Sequence, residues 1–101
     1  MIGKIVGNEF RNDNDVIIES FYDIPIHELT ELPMITVYDH PCDYPGKYVA
    51  RLSGIVSGQP LQFKYIVLKN SIDEIRNCIP SYMVFLGRFF KDDPKILECY
   101  I

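Results

Sequence analysis

Turn signals interrupt this chain so closely that its apolar runs are joined mostly by short connections. Pro33, Pro41, Pro45-Gly46, Gly58-Gln59-Pro60, Pro80 and Asp92-Asp93-Pro94 punctuate 101 residues, whereas a parallel strand pair needs a crossover of a dozen residues or more. Short runs rich in Ile, Val, Tyr and Phe between such signals read as strands joined by turns, which favours antiparallel neighbours. The predicted strands are 35–38, 48–56, 61–68, 82–90 and 96–101. Pro45-Gly46 suits the centre of a type II turn, because proline fixes φ at the first position and glycine accepts positive φ at the second. Gly54, inside a strand pattern, reads as a bulge or a close backbone approach.

One segment of the core breaks the pattern. Ser71-Ile72-Asp73-Glu74 is a capping box, and Ile72, Ile75, Cys78 and Ile79 recur at helical spacing before Pro80, which predicts a short amphipathic helix over 71–79. The core order is then β-β-β-α-β-β. In front of it, 2–6 and 16–22 read as a hairpin, and 26–32 as a short helix with Pro25 in its first turn and Pro33 as its stop. The expected fold is α+β: a mainly antiparallel, curved or partly barrel-like sheet, with the helix packed on it and a ββ-plus-short-helix extension at the N-terminus.

Charge divides the chain at Pro33-Met34. Residues 1–33 carry a net −5 and residues 34–101 a net +1, giving the overall −4. Thirty-three residues cannot bury a core of their own, so the front is expected to dock on the downstream sheet within a single domain spanning 1–101. The 48% hydrophobic and 24% charged content is that of an ordinary soluble globular protein.

Several function classes find no support. No run approaches the ~20 apolar residues of a membrane-spanning helix, the N-terminus lacks the apolar stretch of a cleaved signal, and a cytoplasmic location is expected. Three separated cysteines without a C-x-x-C pair suit reduced thiols. A sequence pI near 5.0 counts against general nucleic-acid binding. Glycine spacing fits no phosphate loop, no serine sits in a nucleophile elbow, and His27-Glu28 lacks the second histidine of a zincin. Neither a catalytic residue, a metal site nor a cofactor is assigned. Asp39-His40-Pro41-Cys42-Asp43 is the densest polar cluster; turn chemistry accounts for it, and Cys42 is the best nucleophile if the chain were an enzyme.

The run Ile-Thr-Val-Tyr-Asp-His-Pro-Cys-Asp-Tyr-Pro-Gly-Lys-Tyr-Val-Ala-Arg at 35–51, with Asp92-Asp93-Pro94, resembles a set of short uncharacterised bacterial and phage-type proteins. The resemblance covers 34–101, implies a small standalone domain, and carries no assigned activity.

Two surfaces remain as candidates. If Tyr48, Ala50 and Leu52 point inward, then Val49, Arg51 and Ser53 point outward, where Arg51, Lys64 and Arg88 beside Tyr65 can hold an anionic ligand such as a nucleotide or anchor a protein. An ordinary wet sheet face is the plainer alternative. The acidic front, with Glu9, Asp13, Asp15 and Glu19, can imitate phosphate to a basic partner or simply protect strand edges. The leading expectation is a small non-enzymatic protein-binding module, such as a mobile-element or phage-encoded inhibitor or adaptor, acting through its acidic front or a sheet face. Capture of a small anion by Arg51, Lys64 and Arg88 is the second. The terminal strand 96–101 offers an unprotected edge for a homodimer.

Overall fold

The computed structural model describes residues 15–88 and 94–101. Among them, β1 (Val16–Ile17), β2 (Met34–Asp39), β3 (Tyr48–Val56), β4 (Gln59–Lys69), β5 (Phe85–Gly87) and β6 (Ile96–Tyr100) form one sheet in the order β1-β4-β3-β2-β6-β5. All neighbours are antiparallel except β1 and β4. The sheet curves without closing into a barrel, and with the helices α1 (Ile26–Leu29) and α2 (Ile72–Arg76) it makes an α+β fold.

Each strand shows side chains alternately to two faces. Ile35 and Val37 of β2 lie opposite Leu52 and Ala50 of β3. These four join Val67, α2 through Ile75, and Phe21 and Ile26 of the front in the main core. The described part of the acidic front therefore shares that core.

The described part of the front differs from expectation in two elements. The first expected strand of the front, 2–6, lies outside the described residues. The second is reduced to Val16–Ile17, which pairs in parallel with Tyr65 and Ile66 of β4, and Phe21–Asp23 turns as a 3-10 helix capped by the Ser20 hydroxyl. The helix after Pro25 ends at Leu29, because Thr30 leaves it with an extended backbone. Its hydroxyl donates to the Ile55 carbonyl at 2.7 Å. A Cβ on Gly54 would fall within 2.8 Å of the Thr30 Cβ and Cγ2, so the close approach read from Gly54 is made by Thr30.

Turn chemistry decides two further details. The β3–β4 hairpin closes on two residues, Ser57 at φ 52° and Gly58 at φ 78°, where the sequence suggested a four-residue loop. Positive φ at both positions matches the right-handed twist of the strands, so Gln59 and Pro60 extend β4. At 44–47 the amide of Lys47 donates to the Tyr44 carbonyl at 3.2 Å, but Gly46 does not adopt positive φ. The type II turn is therefore not formed.

The serine half of the capping box forms, the Glu74 amide donating to the Ser71 hydroxyl, and the Glu74 carboxylate accepts from that same hydroxyl. The regular part of α2 is shorter than predicted, with Cys78 and Ile79 following in a turn. β5 is also short, and Phe89 and Phe90 of the predicted strand 82–90 lie outside the described residues. β6 is interior, flanked by β2 and β5, so the terminal strand offers no free edge. Among the described residues the edges are β1 and β5.

Candidate functional site

The second face of the sheet is divided. Register puts Met34, Thr36 and Tyr38 of β2 on it, opposite Ser53, Arg51 and Val49 of β3. At one end Tyr44 covers Val49 and Ile66, with Tyr38 and Leu68 packed beside them. The segment carrying Tyr44 leaves β2 and returns to β3, and its prolines limit the shapes it takes. The face predicted to be solvated is thus a second, smaller core at this end.

Arg51 sits beneath that cover. Its guanidinium donates twice to the Asp15 carboxylate at 3.1 Å and once to Asp43 at 2.5 Å, and the Tyr44 hydroxyl donates to Asp15 at 3.0 Å. Burial opposes the Arg51 charge, but Asp15 and Asp43 more than offset it and leave its pKa raised. Such an arginine, 9% exposed, is a clasp between the front, the 39–47 segment and β3.

The predicted anion site does not assemble. Lys64 lies on β4 with its ammonium 5.8 Å from the centre of the Tyr65 ring, and Tyr65 stands opposite Val16. Arg88 follows β5 and donates through Nε to the Ile96 carbonyl at 2.9 Å. Three strands separate β4 from β5, so Lys64 and Arg88 are about 19 Å apart across the sheet at ~4.8 Å per strand, and Arg51 between them is already paired. Arg51, Lys64 and Arg88 share no pocket.

Of the four acidic positions, the two that are described stand in separate contacts. Glu9 and Asp13 lie outside the described residues. Asp15 belongs to the clasp, its side chain 3% exposed. Glu19 is exposed and accepts from Lys69 Nζ at 3.1 Å. Cys42 is exposed, while Cys78 and Cys99 are buried, and burial pushes the Cys78 thiol up. His40 lies against Asp39 and edge-on to Tyr48. Among the described residues no group of three or more His, Cys, Asp or Glu is placed to hold a metal ion, and no helix is long and apolar enough to cross a membrane.

The other end of the second face has no described cover. Here Met34, Ile55, Val84 and Ile101, with Leu32 before β2 and Leu61 on β4, line an open groove of about 810 Å³. Ile101 follows Cys99 in the outward alternation, and Val84 and Ile101 exchange backbone hydrogen bonds at 2.6 and 3.0 Å. Five of these side chains, Leu32, Met34, Leu61, Val84 and Ile101, are between 39% and 64% exposed. No side chain among the described residues lining the groove is charged; Ser53 and Gln62 supply its polar side chains.

No site reading from sequence included this groove. One signal was there: Ile55 continues the outward alternation of Arg51 and Ser53 as an apolar residue. No family model, no curated protein and no solved structure matches the chain.

Proposed function

We propose that this chain is a small non-enzymatic protein-binding module that works through the uncovered apolar half of its second sheet face. The observation that carries the reading is the groove itself. It is open, uncharged and lined by aliphatic side chains that a monomer in water leaves exposed at a cost, and contiguous patches of this kind mark interaction surfaces. The charged groups elsewhere support the same reading, since Arg51, Asp15, Asp43, Arg76 and Glu98 are occupied in ion pairs that tie elements together. The acidic front contributes to the clasp through Asp15, which makes it a structural partner of the sheet.

The test compares full-length protein with groove variants. Immobilised wild type, Met34→Glu and Glu19→Gln are exposed to soluble extract of the native cells, and retained proteins are identified by mass spectrometry. A partner held by wild type and Glu19→Gln, and lost by Met34→Glu, is the expected result. Equal retention by wild type and Met34→Glu, or no protein held by wild type with further copies of this chain counted among those held, sinks the reading.

A further inference from the structure

We infer that the occupant of the groove is a second copy of this chain, packed face to face so that the uncovered half of each second sheet face covers the other. The inference rests on reading the groove as a protein-docking surface, and names what docks there.

Charge is the first argument. Each copy carries a net −4, so two copies repel wherever their charged surfaces approach. The groove is lined by uncharged side chains, and identical molecules meet there without opposing charged side chains. It also offers no charge by which to select a foreign partner of complementary sign.

Area is the second. Leu32, Met34, Leu61, Val84 and Ile101 each bare between 39% and 64% of their surface, which for large side chains amounts to on the order of 500 Å². That is at the upper end of the ~300–600 Å² that monomers leave in one patch. It is also more than half of the ~800 Å² per partner in a standard interface.

Geometry is the third. A two-fold axis makes an isologous contact in which the same patch serves both copies. The other end of the face is already covered by Tyr44 and tied down by the Arg51 clasp. Only the open halves then overlap, and two sheet faces packed about 10 Å apart exclude water from Met34 and Ile101. The growth is closed, since each copy has one such half-face and none is left over after pairing.

Sedimentation equilibrium or light scattering on the full chain, from about 1 µM to 1 mM, reads the outcome. Wild type is expected at twice the 11.7 kDa chain mass, falling toward the single-chain mass on dilution. Met34→Glu and Ile101→Lys are each expected at the single-chain mass throughout. Both positions are already partly or half exposed, so the folded monomer tolerates either charge, and near-ultraviolet circular dichroism checks that it does. A wild type at single-chain mass over the whole range overturns the inference. So does a dimer that survives both substitutions, because it uses another surface. A monomeric wild type that still holds a foreign partner through Met34 removes the second copy alone and leaves the docking reading standing.

Discussion

Glu98 is a carboxylate sealed beneath a helix, with its side chain 4% exposed. Arg76 of α2 grips it with two hydrogen bonds at 2.9 and 3.1 Å, and the Tyr100 hydroxyl donates a third at 2.6 Å. Burial alone would raise the Glu98 pKa, but the donors from Arg76 and Tyr100 outweigh it and the net shift is downward. The same contact acts on Tyr100, whose pKa is pushed up to about 12 by burial and then by the adjacent carboxylate. A carboxylate with a lowered folded pKa stabilises above its unfolded value and loses that contribution as pH falls through the folded one. Glu98→Gln is therefore expected to cost about 2 kcal/mol at pH 7, between exposed and fully buried pairs because Arg76 is half exposed. The difference in Tm between wild type and variant, roughly 10 °C at pH 7, should shrink below about pH 4. A gap that stays constant from pH 7 to pH 3 would show that the ion pair is not its source.

At the scale of elements, local chemistry was legible wherever the chain makes its structure from neighbours. The capping box of Ser71 and Glu74 and the strands on either side of Ser57-Gly58 depend on residues a few positions apart, and both were readable. The hairpin turn was placed but drawn too long, because Ser57 takes the left-handed conformation that serine enters at a cost. Asparagine accepts it more readily, and Asn-Gly is the favoured pair for this turn. Ser57→Asn should raise Tm by a few degrees, about 0.5 kcal/mol, in a thermal melt; a lower Tm would mean that the serine hydroxyl makes a contribution the turn geometry does not include. The helix after Pro25 was over-extended for a different reason. Thr30 is drawn out of it by the Ile55 carbonyl, 25 residues later in the chain, and helical spacing in 26–32 carries no trace of that.

At the scale of the molecule, the Arg51 clasp holds the second face together. It joins Asp15 from the front, Asp43 from the segment between β2 and β3, and the middle of β3. Arg51→Met keeps the bulk but leaves Asp15 buried beside no cation, so urea unfolding should show a loss of about 3–5 kcal/mol. Amide exchange should rise first at Ile18, whose amide donates to Ile66, and at His40 and Lys47, whose backbone groups pair across the 39–47 segment. A variant as stable as wild type would mean that the apolar cover of Tyr44 holds this end without the ion pairs.

The sequence by itself determined what alternation, capping and turn residues can encode. It set an α+β fold with a mostly antiparallel sheet, the order β-β-β-α-β-β, and the face on which Arg51 stands. Only the tertiary structure decided what lies over each face. Arg51 looked available because nothing near it in sequence reveals that Asp15, 36 residues earlier, returns to meet it. Lys64 and Arg88 looked convergent because strand order, which sets their separation, depends on β6 inserting between β2 and β5. The groove stayed hidden for the same reason: alternation tells which residues share a face, but whether that face is covered depends on long-range packing, and here the cover stops at Arg51.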